Sequence, residues 1–222
     1  MGNYTTGIKT KDKILCSAKR LFFHKGVSAA SLQEITREAG VRQSLLFYYF
    51  KDKDELCAEI HTQFSETLDV ALCEEIQRRK LVMSKTVERC LFVAVLYQVC
   101  LSIPNIARFI AEINEGDIQF HSAFVQKRYD MLIEENFECL RRTTREFIII
   151  ENTSLNTLLF HLYMQGDLNN DKETLIRFKV RKILRSLYLD DEKSAQIEEE
   201  VLHYQKQFLF TVNDQFEVSL LS

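Results

Sequence analysis

A single proline and six glycines in 222 residues leave this chain too little turn chemistry to build a β-protein. The expected class is therefore all-α. No stretch approaches the roughly 18 consecutive apolar residues of a membrane helix. The start, Met1-Gly2-Asn3-Tyr4, shows no apolar signal-peptide core, and no contact with a membrane is expected. The six cysteines, Cys16, Cys57, Cys73, Cys90, Cys100 and Cys139, form no CxxC pair and no Cys/His cluster with zinc-ligand spacing. Most sit at helical positions beside apolar residues, where a thiol serves as a small hydrophobe. A reducing, cytoplasmic location and no metal or cofactor are the expectation.

The N-terminal quarter is the most legible part. Ile14, Leu15, Ala18, Leu21 and Phe22 follow the i, i+1, i+4, i+7, i+8 spacing of one buried helical stripe. The helix they define is predicted over 11–25 and stops at Gly26. Ser31-Leu32-Gln33-Glu34 is a capping box opening a second, short helix with Leu32, Ile35 and Ala39 inward, closed by Gly40. A third helix is predicted over 42–50. Two short helices about a glycine turn are the geometry of a helix-turn-helix, whose second helix enters the major groove.

The third helix has the residues this role needs. Val41, Leu46 and Phe50 can anchor it, while Ser44, Phe47 and Tyr48 project to the other side, with Arg42 and Gln43 at its start. Arg and Gln side chains can bond bidentately to guanine and adenine edges. Phe47, Tyr48 and Tyr49 are consecutive and span about 200° of a helix, so they cannot all serve as core. Charge agrees: residues 1–56 carry ten basic and six acidic residues, a net of +4, against −7 for the remainder. A basic head on an acidic body suits approach to a polyanion.

The stretch from Ile14 to Leu56, with Gly26, Ser31, Ala39-Gly40-Val41, Leu46-Phe47-Tyr48-Tyr49-Phe50 and Lys51-Asp52-Lys53, resembles the N-terminal domain of tetracycline-repressor (TetR) family regulators. The resemblance covers residues 11–58 without a gap. It implies a homodimer with paired DNA-reading heads on a helical ligand-binding body. It also implies contact roles for Ser31 and Gln33 at phosphate or groove edge, Arg42, Gln43 and Ser44 at bases, Tyr48 at a further contact, and Tyr49 and Lys53 at phosphates. Two departures stand out: phenylalanine at 47, where a tyrosine phenol usually bonds phosphate, and serine at 44, where glycine is common.

Residues 1–56 are therefore read as the DNA-binding domain and 57–222 as a helical domain for ligand binding and dimerisation. Asp52 caps a fourth helix carrying Leu56, Ile60, Phe64, Leu68 and Leu72 at i+4 spacing. Further helices are predicted over 84–101, 105–114, 119–143, 145–165, 172–188 and 193–213, with Pro104 separating two of them. Phe92, Tyr97, Phe109, Phe120 and Phe124 supply either ordinary core or an apolar ligand cavity, with His121, Arg128 and Glu112 as polar candidates. Two apolar faces, one from Phe147 to Tyr163 and one from Leu175 to Leu187, fit a four-helix dimer contact; alternatively, one packs internally beneath the last helix.

Metal-binding histidine spacings, a nucleophile elbow and glycine-rich phosphate loops are absent, and Glu134-Glu135 and Glu198 to Glu200 read as solvated helix faces. An enzyme is not expected. The expected function is a dimeric regulator, more a repressor than an activator, reading a near-palindromic double-stranded operator and released by a small apolar ligand. Two other readings remain open: a cysteine-based redox sensor, and a helical interaction module that binds no operator.

Overall fold

Local signals set the element boundaries in the computed structural model, which describes residues 2–115, 127, 130–131, 158–160, 162–166, 171–187 and 189–221. Helix α1 (Gly2–Lys25) begins nine residues earlier than its apolar stripe requires. It ends at Gly26, whose φ of +92° needs glycine and whose amide donates to Phe22 O at 3.0 Å. The capping box of α2 (Leu32–Ala39) is formed in both directions, Glu34 N to Ser31 Oγ at 3.1 Å and Ser31 N to Glu34 Oε2 at 3.0 Å. Gly40 closes α2 in the left-handed conformation, and α3 (Gln43–Tyr49) follows after two residues.

Asp52 caps α4 (Lys53–Arg78), accepting from Glu55 N at 2.8 Å. The five i+4 residues of α4, Leu56 to Leu72, are all buried. Ser84 caps α5 (Lys85–Ser102), and Pro104 opens α6 (Pro104–Glu115) at the first helical position, where its missing N–H costs nothing. Beyond α6, residues 158–160 and 162–165 are helical, up to Gly166. Two further capped helices follow, α7 (Lys172–Ser186) and α8 (Asp191–Gln205). Most of the predicted helices at 119–143 and 145–165 lie outside the described residues, as does the apolar run Phe147–Ile150. Among the described residues, no single helix is long and apolar enough to cross a membrane.

The body is organised around α5, which packs against α4, α6, α7 and α8 and is buried on most of its circumference, from Val87 to Leu101. Ile176, Val180, Ile183, Leu184 and Leu187 are buried against α5 and α8, so the second apolar face packs internally, and only Phe178 stays half exposed. The expectation of a solvated acidic run fails at Glu198, which is 4% exposed. Arg181 grips its carboxylate with two bonds, at 2.7 and 2.8 Å, and Arg177 adds a third at 2.9 Å. Burial alone would raise that carboxyl's pKa; the two guanidiniums outweigh it and hold it below the usual range.

The predicted last helix, 193–213, is corrected. The helix ends at Gln205, and the chain then forms an antiparallel hairpin of β1 (Phe210–Val212) and β2 (Val218–Leu220), paired 210 to 220 and 212 to 218. The apolar run Phe208-Leu209-Phe210 reads equally well as a helix face or an alternating strand, and Asn213 decides the matter. Its side-chain oxygen accepts the amides of Gln215 and Glu217 at 2.9 and 3.0 Å, folding the chain into a turn.

Candidate nucleic-acid interface

The head is built from α1, α2 and α3 around Ile14, Ala18, Phe22, Ile35, Leu46 and Phe50, each at most 2% exposed. Leu46 and Phe50 fix α3 from beneath. Arg42, Gln43, Ser44, Phe47 and Tyr48 consequently stand on its open side, Tyr48 at 78% exposed and Phe47 at 49%. Tyr49 is half-buried and meets the Tyr48 ring edge-on at 4.9 Å. Burying an apolar phenylalanine ring of this size is favourable, so leaving Phe47 in water is a cost that a partner surface would remove. Ser31 and Gln33 are exposed at the start of α2, although the Ser31 hydroxyl is engaged in the capping box. Arg37 and Lys51, which the sequence reading did not single out, are also exposed cations of the same small domain.

Ion pairs brace the helices behind this face. Arg20 Nε donates to Glu38 at 2.6 Å and Lys25 to Glu34 at 2.7 Å, both joining α1 to α2. The Lys25 ammonium, then the Ser31 amide and hydroxyl, lower the Glu34 carboxyl to about 2. Lys53 is placed differently from a free phosphate ligand. Its ammonium donates to Val27 O at 2.8 Å and Ala30 O at 3.1 Å, tying the start of α4 to the loop between α1 and α2. One N–H of the three remains for another acceptor.

The head is fastened to the body at the same loop. Glu112 of α6 accepts the backbone amides of Val27 and Ser28, the latter at 3.0 Å. Arg108 of α6 donates to Phe23 O at 2.7 Å. A Cβ at Gly26 would stand 2.6 Å from Glu112 Oε1, so a larger residue there would have to displace that carboxylate as well as adopt the strained φ. Glu112, a polar pocket candidate in the sequence, thus serves the junction.

The ligand candidates fall in different surroundings. Phe92, Tyr97 and Phe109 are buried. Tyr97 packs on Phe160 at 5.0 Å, with Lys179 Nζ 5.6 Å from its ring centre, whereas Phe109 stacks against Phe22 of the head at 6.2 Å. Phe120, Phe124, His121 and Arg128 lie outside the described residues. Lys179, fully buried in α7, escaped the sequence reading because its neighbours follow an ordinary apolar pattern. On α4, Ser65 is fully buried and its hydroxyl has no hydrogen-bond partner among the described residues.

Residues 14–60 match the family model described as "Bacterial regulatory proteins, tetR family". Among curated proteins, the chain is 41% identical over 68 residues to the probable HTH-type transcriptional regulator YttP of Bacillus subtilis, 29% of this chain and 33% of that protein. It is 46% identical over 52 residues to the HTH-type transcriptional regulator AcrR of Shigella flexneri, 23% of this chain and 24% of that protein. These alignments thus span a third or less of either relative's length. The solved structure of RolR with resorcinol superimposes over 90% of this chain and 96% of its own, with a TM-score of 0.59 at 12% identity. RolR without ligand gives 0.51 at 13% identity, over 86% and 95%. At such identities the likeness speaks for the fold, and it extends well beyond the head. The head, residues 14–60, thus matches the tetR family of bacterial regulatory proteins, and the helical architecture as a whole is the fold shared with RolR.

Proposed function

We propose that this protein is a ligand-responsive transcription regulator that binds double-stranded DNA as a homodimer. The observation that carries the reading is the open side of α3. Arg42, Gln43, Ser44, Phe47 and Tyr48 are exposed together on a helix anchored by Leu46 and Phe50. In a dimer, two such helices roughly 34 Å apart, or a multiple of that, would enter successive major grooves of a near-palindrome. Repression relieved by a small apolar ligand is the form of control that the body favours. It is rich in buried aromatics and holds the Ser65 hydroxyl without a partner among the described residues. RolR, which shares the fold, was solved with resorcinol, and this supports a small molecule as effector here.

Burial argues against the cysteine-based alternative at three of the six thiols. Desolvation raises the Cys57 and Cys90 thiols to about 12 and the Cys100 thiol further, so these three stay protonated and unreactive at neutral pH.

The test is selection of a duplex from a random pool by the full-length protein, followed by binding at graded salt. The reading expects one enriched, near-palindromic sequence and an affinity falling steeply with salt concentration. Enrichment of no sequence, with equal weak binding to all duplexes, would overturn it in favour of a helical interaction module.

A further inference from the structure

The hairpin at the end of the chain reaches the head. β1 packs on α5 and β2 on α4, and the turn between them meets α1. At the tip of that turn stands Phe216, 2% exposed. Its ring meets Phe109 of α6 at 4.8 Å, Phe64 of α4 at 6.0 Å and Phe23 of α1 at 6.1 Å, each in an edge arrangement. One side chain therefore touches the head helix, the helix that joins head to body, and the body helix that grips the head loop.

Two features separate Phe216 from an ordinary core aromatic. Its φ is +57°, a conformation that bulky residues rarely adopt and that persists only where the surroundings enforce it. The Asn213 turn does so: Phe216 N donates to Asn213 O at 3.0 Å, and Asn213 N donates to Glu217 O at 3.1 Å. The neighbours of Phe216 also reach α1 by polar contacts: Asp214 lies 3.3 Å from His24 Nε2, and Gln215 Nε2 donates to Cys16 O at 3.4 Å. These attachments run along α1 from residue 16 to 24, apart from the loop held by Glu112.

We propose that Phe216 is a positioning residue for DNA reading: the C-terminal hairpin sets the angle of α1, and with it α3, relative to α4 and α6. The inference rests on the regulator reading of α3. A head held at one angle binds with its intrinsic affinity. A head that samples several angles binds more weakly, in proportion to the fraction of time spent in the competent one.

The experiment uses full-length protein, the duplex that the wild type selects from a random pool, and hydrogen exchange read by mass spectrometry. With Phe216→Ala, exchange should accelerate in residues 16–28 and 210–220 and stay unchanged in α5, α7 and α8. The Kd should rise about tenfold if the competent population falls to a tenth. The salt dependence should keep its slope, because the docked state contacts the same phosphates. Phe216→Met, which restores most of the volume, should recover most of the affinity.

A wild-type Kd in Phe216→Ala overturns the inference while leaving the regulator reading intact, as does faster exchange throughout α5, α7 and α8, which would mark the ring as mere core. A wild-type chain that enriches no duplex overturns both. Should Phe216→Ala fail to fold, the double variant Asp214→Ala, Gln215→Ala keeps the ring and removes the polar contacts to α1. It should show faster exchange in residues 16–25 and a smaller rise in Kd; no change in either overturns the inference.

Discussion

At the scale of single residues, the head contains exposed side chains proposed to read bases and side chains that hold the domain together. Arg42 and Gln43 are exposed at the start of α3. Replacing either with alanine should cost about 1–3 kcal/mol on the preferred duplex and relax discrimination at one position. Lys53 is bonded to the carbonyls of Val27 and Ala30. Lys53→Ala should therefore weaken all duplexes alike and also lower the melting temperature, which Arg42→Ala should not. Binding to a panel of duplexes, with thermal melts of each variant, separates the two roles. The thiols give a second check. Cys16 is exposed, whereas Cys57, Cys90 and Cys100 are buried and held protonated. Mass spectrometry after brief alkylation of the native protein at pH 8 should find Cys16 labelled and those three unmodified until denaturant is added.

At the scale of elements, the capping box of α2 ties stability to pH. The folded Glu34 carboxyl sits near 2, below its ordinary 4.5, because Lys25 and Ser31 bond its charged form. A group whose pKa is depressed by folding contributes stability that is fully present above its unfolded pKa. That contribution is lost as pH falls through the folded value. The Ser31 amide resonance should thus hold steady from pH 7 through 4.5 and shift only as pH approaches the folded value near 2; Glu34→Gln should abolish the titration. Caps of this kind explain how much was legible in the sequence. Ser31, Glu34, Gly26, Gly40, Asp52 and Pro104 act on amides and dihedrals within four residues, so the end of α1, both ends of α2 and the starts of α4 and α6 could be placed by inspection, whereas the start of α1, which carries no such signal, could not. The hairpin could not either. Its strands are three residues each, and pairing across the Asn213 turn competes with an apolar run that equally suits a helix. Nor could the fate of Glu198, whose arginine partners stand 17 and 21 residues earlier on another helix. The exposed side of α3 was legible because it rests on local periodicity.

At the scale of the whole molecule, head and body are separate in sequence but joined by contacts that no local pattern encodes. The bonds from the amides of Val27 and Ser28 to Glu112 span 85 and 84 residues, and Arg108 reaches Phe23 across 85. A domain of about sixty residues buries only about 60% of the surface its unfolded chain exposes, less than a larger domain does, and is marginal on its own. Its stability should depend on being held by α6. With the junction intact, unfolding should be one cooperative transition. Glu112→Ala leaves two amides to find water or go unsatisfied, at a cost of about 1–3 kcal/mol for an orphaned buried donor and less where solvent reaches the loop. That loss falls on the head, because α6 keeps its own packing on α5. Calorimetry of Glu112→Ala should accordingly resolve a lower-temperature head transition from an unshifted body transition, and hydrogen exchange should assign the former to α1, α2 and α3. Gly26→Ala should reproduce the split, since the added carbon would displace the same carboxylate and strain the turn. A single transition that keeps its melting temperature in both variants would show that the carboxylate decorates the junction without coupling its two sides.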